Sequence, residues 1–182
     1  MSQLSSDFSN HVLDATQAYF KPLTEDQLKG LPPSSIDLLK QYGQQRELDQ
    51  AVATLDIPSY LAIMTYAADR ALREELYKAY TTRASDQSEQ TEFDNTQVME
   101  EILSLRQEMA QLLGFNNYAE LSLASKMAPD VATVDQFLVE LAEHARAPAE
   151  REIAELKAIA QQDNILDLQP WDTGYYSEKL KV

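Results

Sequence analysis

Cysteine is absent from this sequence, which excludes disulfides, thiolate metal sites and cysteine nucleophiles in one step. Imidazole is almost as rare: His11 and His144 are the only histidines, more than a hundred residues apart. Glycine accounts for 4 of 182 residues, well below the average of ~7%, so tight turns are few and helix should dominate. No run approaches the ~18 uninterrupted apolar residues of a membrane span. Asp7, Asn10, His11, Asp14 and Lys21 interrupt what would be the apolar core of a secretion signal. Basic residues are outnumbered, 15 against 30 acidic, for a net charge of -15. Phosphate binding needs clustered Lys and Arg, and here they are scattered among acids, so neither nucleic acid nor an anionic membrane is an expected partner. These absences together predict a soluble, non-secreted, cytoplasmic protein.

What remains is enough for a core. Hydrophobic residues make up 44%, and the length suits one domain. The expected organisation is a single helical domain over 1–182, with a helix-plus-hairpin region at 1–57 and a helical array at 58–182. The expected fold class is mainly α, a multi-helix bundle-like array with one short β-hairpin.

The strongest periodicity lies between Asp69 and Met127. Projected at ~100° per residue, Asn95 to Leu113 places Val98, Met99, Ile102, Leu103, Leu105, Met109, Leu112 and Leu113 on one arc, which is expected to face a core. Asp94 or Asn95 can cap this helix and Gly114 can stop it. The preceding helix, capped by Asp69, aligns Leu72, Leu76, Ala79, Tyr80 and Ala84. SDQSEQTEFDN between the two lacks periodicity and reads as a surface loop.

Along the rest of the chain, helices are expected over Ser5 to Ala15, from Pro33 to about Leu48, and over Ser59 to Tyr66. Ala18–Leu23 and Ala51–Leu55 are extended runs that can pair antiparallel. Asn116 or Asn117 can cap a short helix. A long helix starts near Pro129, Asp130 and Thr133, with Val134, Phe137, Leu138, Leu141 and Ala145 inward, and should break or kink at Pro148. Asp172 can cap a last helix that carries Tyr175, Tyr176 and Leu180.

Three arginines, Arg73, Arg83 and Arg106, fall on the apolar faces. A buried guanidinium without acceptors is very costly, so each should meet carboxylates or carbonyls, with Asp69, Glu74 and Glu75 nearest in sequence. Such a set is either a structural ion-pair network or a site for a substrate carboxylate; arginine's planar fork suits both. Glu140, Glu143 and His144 share a helix, but a catalytic zinc takes about three protein ligands and a second nitrogen or sulfur is missing, so a solvated face is expected there. Adjacent carboxylates such as Glu74/Glu75 and Glu100/Glu101 diverge by ~100° and cannot face one another as an acid and a base. Ser85, Ser88 and Ser122 have no base nearby in the sequence.

The strings LREELYKAY, LRQEMAQLLGFNNYAE and KMA, with TLDIPSY before them and PWDTGYY after them, resemble the oligopeptidase A and thimet oligopeptidase family of zinc metallopeptidases. The likeness covers nearly the whole chain, from about Asn10 onward. It implies a helical fold and, for the complete enzyme, cleavage of short peptides inside a channel by zinc held on an HExxH helix. This sequence contains no HExxH, and in the family that motif follows the WDxxYY segment, here Trp171, Asp172, Tyr175 and Tyr176. The resemblance therefore implies the helical, non-catalytic part of such an enzyme, with no cofactor in this chain, no zinc ligand to carry over and no hydrolysis by the chain alone. Trp171, Tyr175 and Tyr176 would either line the peptide channel or belong to the core. An apolar face left uncovered would let the chain self-associate, whereas an independent helical module that binds peptides or proteins would close its own surface.

Overall fold

The computed structural model describes residues 1–181. Among them are eight α-helices and one two-stranded sheet. The residues group into two compact units, one made of Met1–Ser9 with Asn95–Ala154, the other of Asn10–Asp94 with the chain from Glu155 onward. Helices α1 (Ser2–Ala18) and α7 (Val131–Gln162) each contribute residues to both.

The larger unit holds the main core. Strand β1 (Phe20–Pro22) pairs antiparallel with β2 (Val52–Thr54), with Phe20 opposite Thr54 and Pro22 opposite Val52. This is the expected pairing, although the connection carries helix α2 (Pro33–Gln44) and is no tight hairpin. Every residue of β2 is buried, and the Ser59 hydroxyl accepts the Thr54 N–H at 2.9 Å, satisfying a donor that the short ladder leaves over. Helix α3 (Ile57–Tyr66) starts with Pro58 in its first turn, where the missing N–H costs nothing. Helix α4 (Arg70–Thr82) begins as the sequence predicts, with the Asp69 carboxylate accepting the Leu72 N–H at 3.1 Å. Leu39, Ala53, Ile63, Leu72 and Leu76 make the buried centre. A second cluster joins Leu156 and Ala160 at the end of α7 to Tyr176 of α8 (Pro170–Leu180).

In the smaller unit, α5 (Thr96–Leu112) packs against α6 (Tyr118–Leu123). Gly114, at φ 84°, stops α5 as expected: Phe115 N–H reaches back to the Ala110 carbonyl at 2.9 Å and Gly114 N–H to that of Gln111 at 3.1 Å, the pairing of a left-handed helix stop. Asn117 caps α6, and Asp130 accepts the Thr133 N–H at 2.7 Å to start α7.

Three expectations are corrected. The apolar arc of α5 is not a core face: Ala110 alone of that helix is buried, and Leu103 and Leu112 are 63% and 79% exposed. Likewise Phe137, Leu138 and Leu141 of α7 are exposed. Periodicity identifies an apolar stripe, but it carries no information on whether other elements of the same chain cover it. Finally, α7 does not break at Pro148, one of the two expected outcomes, but continues through it. Proline's φ fits a helix, and residues 135–155 are all exposed, so the carbonyl that loses its N–H partner can turn to water.

Candidate functional site

The densest polar cluster joins the starts of α4 and α8. Because Asp69 caps α4, Arg70 and Arg73 occupy its first turn and lie three residues apart, on neighbouring parts of one face. Helix α8 starts at Gln169, whose backbone N–H donates to the Asp172 carboxylate at 3.0 Å while its side chain accepts from the third residue of the helix. The helix cap is thus Gln169, and Asp172 sits one turn inside, which corrects the expectation that Asp172 is the cap. That position places a carboxylate at the positive end of a helix.

Asp172 is completely buried and Arg73 is 1% exposed. Arg70 donates from Nε to both carboxylate oxygens at 3.1 Å and from Nη2 at 2.8 Å. Arg73 donates from Nη2 at 2.9 Å. Its Nε reaches the Trp171 carbonyl at 3.1 Å and its Nη1 the Ala67 carbonyl at 2.7 Å. The Tyr175 ring covers the guanidinium at 4.1 Å. Burial alone would raise the Asp172 carboxyl, but the bonds from Arg70, the Gln169 backbone and Arg73 outweigh it and hold the group below the ordinary 3.8. Beside it, Lys179 Nζ donates to Asp163 at 2.6 Å and the Tyr176 hydroxyl to the same oxygen at 3.2 Å. The Lys179 bond holds Asp163 low, and in return Asp163 raises Lys179. A shallow pocket of about 290 Å³ opens between Arg70, Arg73, Tyr175 and Lys179.

The chemistry open to this arrangement is limited. The oxygens of Asp172 already accept from Arg70, Arg73 and the Gln169 N–H, so no lone pair is left for a metal, and the same bonds favour the ionised form over a group ready to take a proton. Arg73 uses Nε, Nη1 and Nη2 within the chain. The cluster holds two helix starts together.

The folded-state value of Asp172 lies below 3.8, so its contribution to stability is fully present above the unfolded value and is lost as pH falls through the folded one. Carbon-13 titration of the Asp172 carboxyl should therefore give a midpoint below that of exposed aspartates. A midpoint at or above 3.8 would show that the two arginines do not stabilise the ionised form.

The structure brings Arg73, Tyr175 and Tyr176 together and places the other candidate residues elsewhere. Arg83 ends α4, half-buried, with Nη1 donating to the Tyr80 carbonyl and its guanidinium 3.7 Å over the Tyr80 ring, which stacks on Tyr60. Arg106, also half-buried, belongs to the smaller unit and lies 5.0 Å over the Tyr118 ring. Neither arginine meets the carboxylates nearest in sequence. The carboxylate that Arg73 meets lies 99 residues away, and Trp171 packs on Tyr77 at 5.9 Å. Sequence reasoning misses Arg70 altogether. The available signal was the three-residue Arg70–Arg73 spacing after a capping aspartate, together with the Gln169–Asp172 spacing of a helix start.

Zinc does not fit the donors present. His144 is exposed and its Nδ1 lies 2.7 Å from the Glu140 carbonyl, which commits that nitrogen to the backbone. No group of three or more His, Cys, Asp or Glu able to hold a metal occurs among the described residues. No helix among them is long and apolar enough to cross a membrane.

Peptidase family M3 matches residues 63–182. Over its whole length the chain is 50% identical to oligopeptidase A of Escherichia coli (strain K12), in an alignment that spans 27% of that protein. It is equally 50% identical to oligopeptidase A of Haemophilus influenzae, again over 27% of the relative. Dipeptidyl carboxypeptidase of Escherichia coli is 28% identical over 98% of the chain and 26% of that protein. The chain thus spans about a quarter of the length of these curated relatives.

Proposed function

Since this chain belongs to peptidase family M3, we propose that it is the helical scaffold and channel-wall portion of an oligopeptidase A-like zinc metalloendopeptidase that degrades short peptides in the cytoplasm. On this reading residues 1–182 act as one helical portion, and zinc and the attacking water are supplied outside it. One observation carries the proposal: a chain 50% identical to oligopeptidase A along its whole length has two histidines, no cysteine and no HExxH, while its most buried carboxylate is saturated by arginine. Arg73, Tyr175 and Tyr176 then act as the brace that sets the angle between α4 and α8, and Arg83 braces the end of α4. The exposed apolar stripes of α5 and α7 support the same reading, because faces of that kind mark places where other polypeptide packs. In the isolated chain they would drive self-association. Neither nucleic acid nor membrane enters this function.

The purified chain should hold much less than one zinc and should not cleave a fluorogenic short peptide; one zinc per chain with EDTA-sensitive cleavage would overturn the proposal. Dye binding and light scattering separate the scaffold from an independent binding module. The scaffold binds an apolar dye and forms assemblies at rising concentration, and a module with a closed surface does neither.

A further inference from the structure

We infer that Asn95–Ala154 is a partner-dependent segment: its helices hold only against the remaining polypeptide of a peptidase family M3 chain, and without that cover they open while the larger unit stays folded. The identity of the partner rests on the scaffold reading proposed above; the need for one rests on burial alone.

The two units differ in what they bury. In the larger unit Leu39, Val52, Ala53, Ile63 and Leu76 are completely buried. In the smaller unit Asn95 and Ala110 are the only buried residues among those described, so it has no core of its own. A helix in a protein takes most of its stability from an apolar face packed on something else, and one shorter than ~12–15 residues is marginal in water even with good helix formers. Helix α6 has 6 residues, and α5 has 17 but buries Ala110 alone. Gln107 Nε2 links the two by donating to the Asn116 carbonyl at 3.0 Å, and Arg106 lies 5.0 Å over the Tyr118 ring. The Gln107 bond is exposed, so water can replace it and it adds little.

Helix α7 shows the missing cover most directly. Leu138, Leu141, Ala145, Ala149, Leu156 and Ala160 recur at intervals of three, four or seven residues and so share one face. Leu156 and Ala160 are buried, in the cluster with Tyr176, whereas the four before them are exposed. One stripe is thus covered where it belongs to the larger unit and bare where it belongs to the smaller one. Its occupant therefore continues an interface that the chain already makes. Oligopeptidase A of Escherichia coli matches the whole chain at 50% identity within 27% of its own length. About three quarters of its polypeptide is then tethered to the matched part, at the high effective concentration that a covalent link gives. A second copy of this chain can reach the same stripes, but it brings another -15 of charge, which opposes close association.

The test is amide hydrogen exchange read by mass spectrometry, on the whole chain at a concentration where light scattering reports monomers, and on whole oligopeptidase A of Escherichia coli. In this chain, peptides from 52–76 should exchange about a thousandfold or more slowly than an unstructured peptide, and peptides from 95–154 within about tenfold of one. In the whole relative, the segment aligned with 95–154 should be slowed about a hundredfold or more. Protection of 95–154 in the monomeric chain equal to that in the relative would overturn the inference, as would fast exchange of the aligned segment in the relative. Fast exchange over 52–76 as well would show that the larger unit does not stand alone, which also overturns it. Full protection of 95–154 reached by raising the concentration of this chain alone would make a second copy the occupant and overturn the partner assigned. Zinc binding or peptide cleavage by the chain would instead defeat the scaffold proposal and leave the exchange contrast untouched, so the two failures are distinct.

Discussion

Replacing Asp172 with alanine should cost about 3–5 kcal/mol of unfolding free energy, because it strands a buried charge. Arg73 is 1% exposed, and water cannot take over the Nη2 donor that Asp172 satisfies at 2.9 Å. Arg70→Ala should cost less, since the Arg70 side chain is 36% exposed and Arg73 still neutralises the carboxylate. The distinguishing measurement is a double-mutant cycle. Arg73→Met combined with Asp172→Leu removes both buried charges and should recover much of the loss, since an apolar pair of similar volume is often neutral or better. Trp171 is the sole tryptophan and its carbonyl accepts from Arg73, so urea unfolding read by its fluorescence reports on this cluster. If the single and double variants lose the same amount, the ion pair is not what holds the starts of α4 and α8.

Gly30→Ala is the second large effect expected, of about 2–5 kcal/mol, from a left-handed backbone and an overlap acting together. Gly30 has φ 88°, and a Cβ there would lie 2.4 Å from the Tyr66 carbonyl oxygen and 3.1 Å from the Ala68 nitrogen. Both are backbone atoms and cannot swing aside. The damage should spread to the cluster, because Ala68 N–H donates to the Lys29 carbonyl at 2.9 Å and the Ala67 carbonyl accepts from Arg73. Gly114→Ala is the control. Its φ is similar, at 84°, but nothing lies within 4 Å of the added Cβ, so only the backbone term of about 1–2 kcal/mol applies. Urea unfolding read at Trp171 for the Gly30 variant, and by far-ultraviolet circular dichroism for the Gly114 variant, should show the first loss exceeding the second. Equal losses would mean that the segment at Tyr66–Ala68 yields to the extra methyl.

What was legible in the residues is what depends on neighbours in the chain. Asp69, Asn117 and Gly114 start or stop helices through bonds that span three to five residues, and the pairing of Ala18–Leu23 with Ala51–Leu55 follows from two short extended runs. The family was legible in the same way, from strings such as LREELYKAY and PWDTGYY.

Only the tertiary structure could decide where long-range partners lie. Asp172 reaches Arg73 across 99 residues of sequence, and the carboxylates nearest to Arg73 in sequence are not its acceptors. The apolar arc of α5 and the inward face expected of α7 were read correctly as stripes and wrongly as core, because a stripe records that apolar surface exists and burial depends on what packs over it. Arg83 and Arg106 were placed on apolar faces by the same periodicity, yet one stacks on Tyr80 and the other on Tyr118. The physical reason is common to all of these. Capping and periodicity act over one or two turns of helix, whereas the dielectric surroundings of a charge and the cover over an apolar face are set by elements that the chain brings together only when it folds.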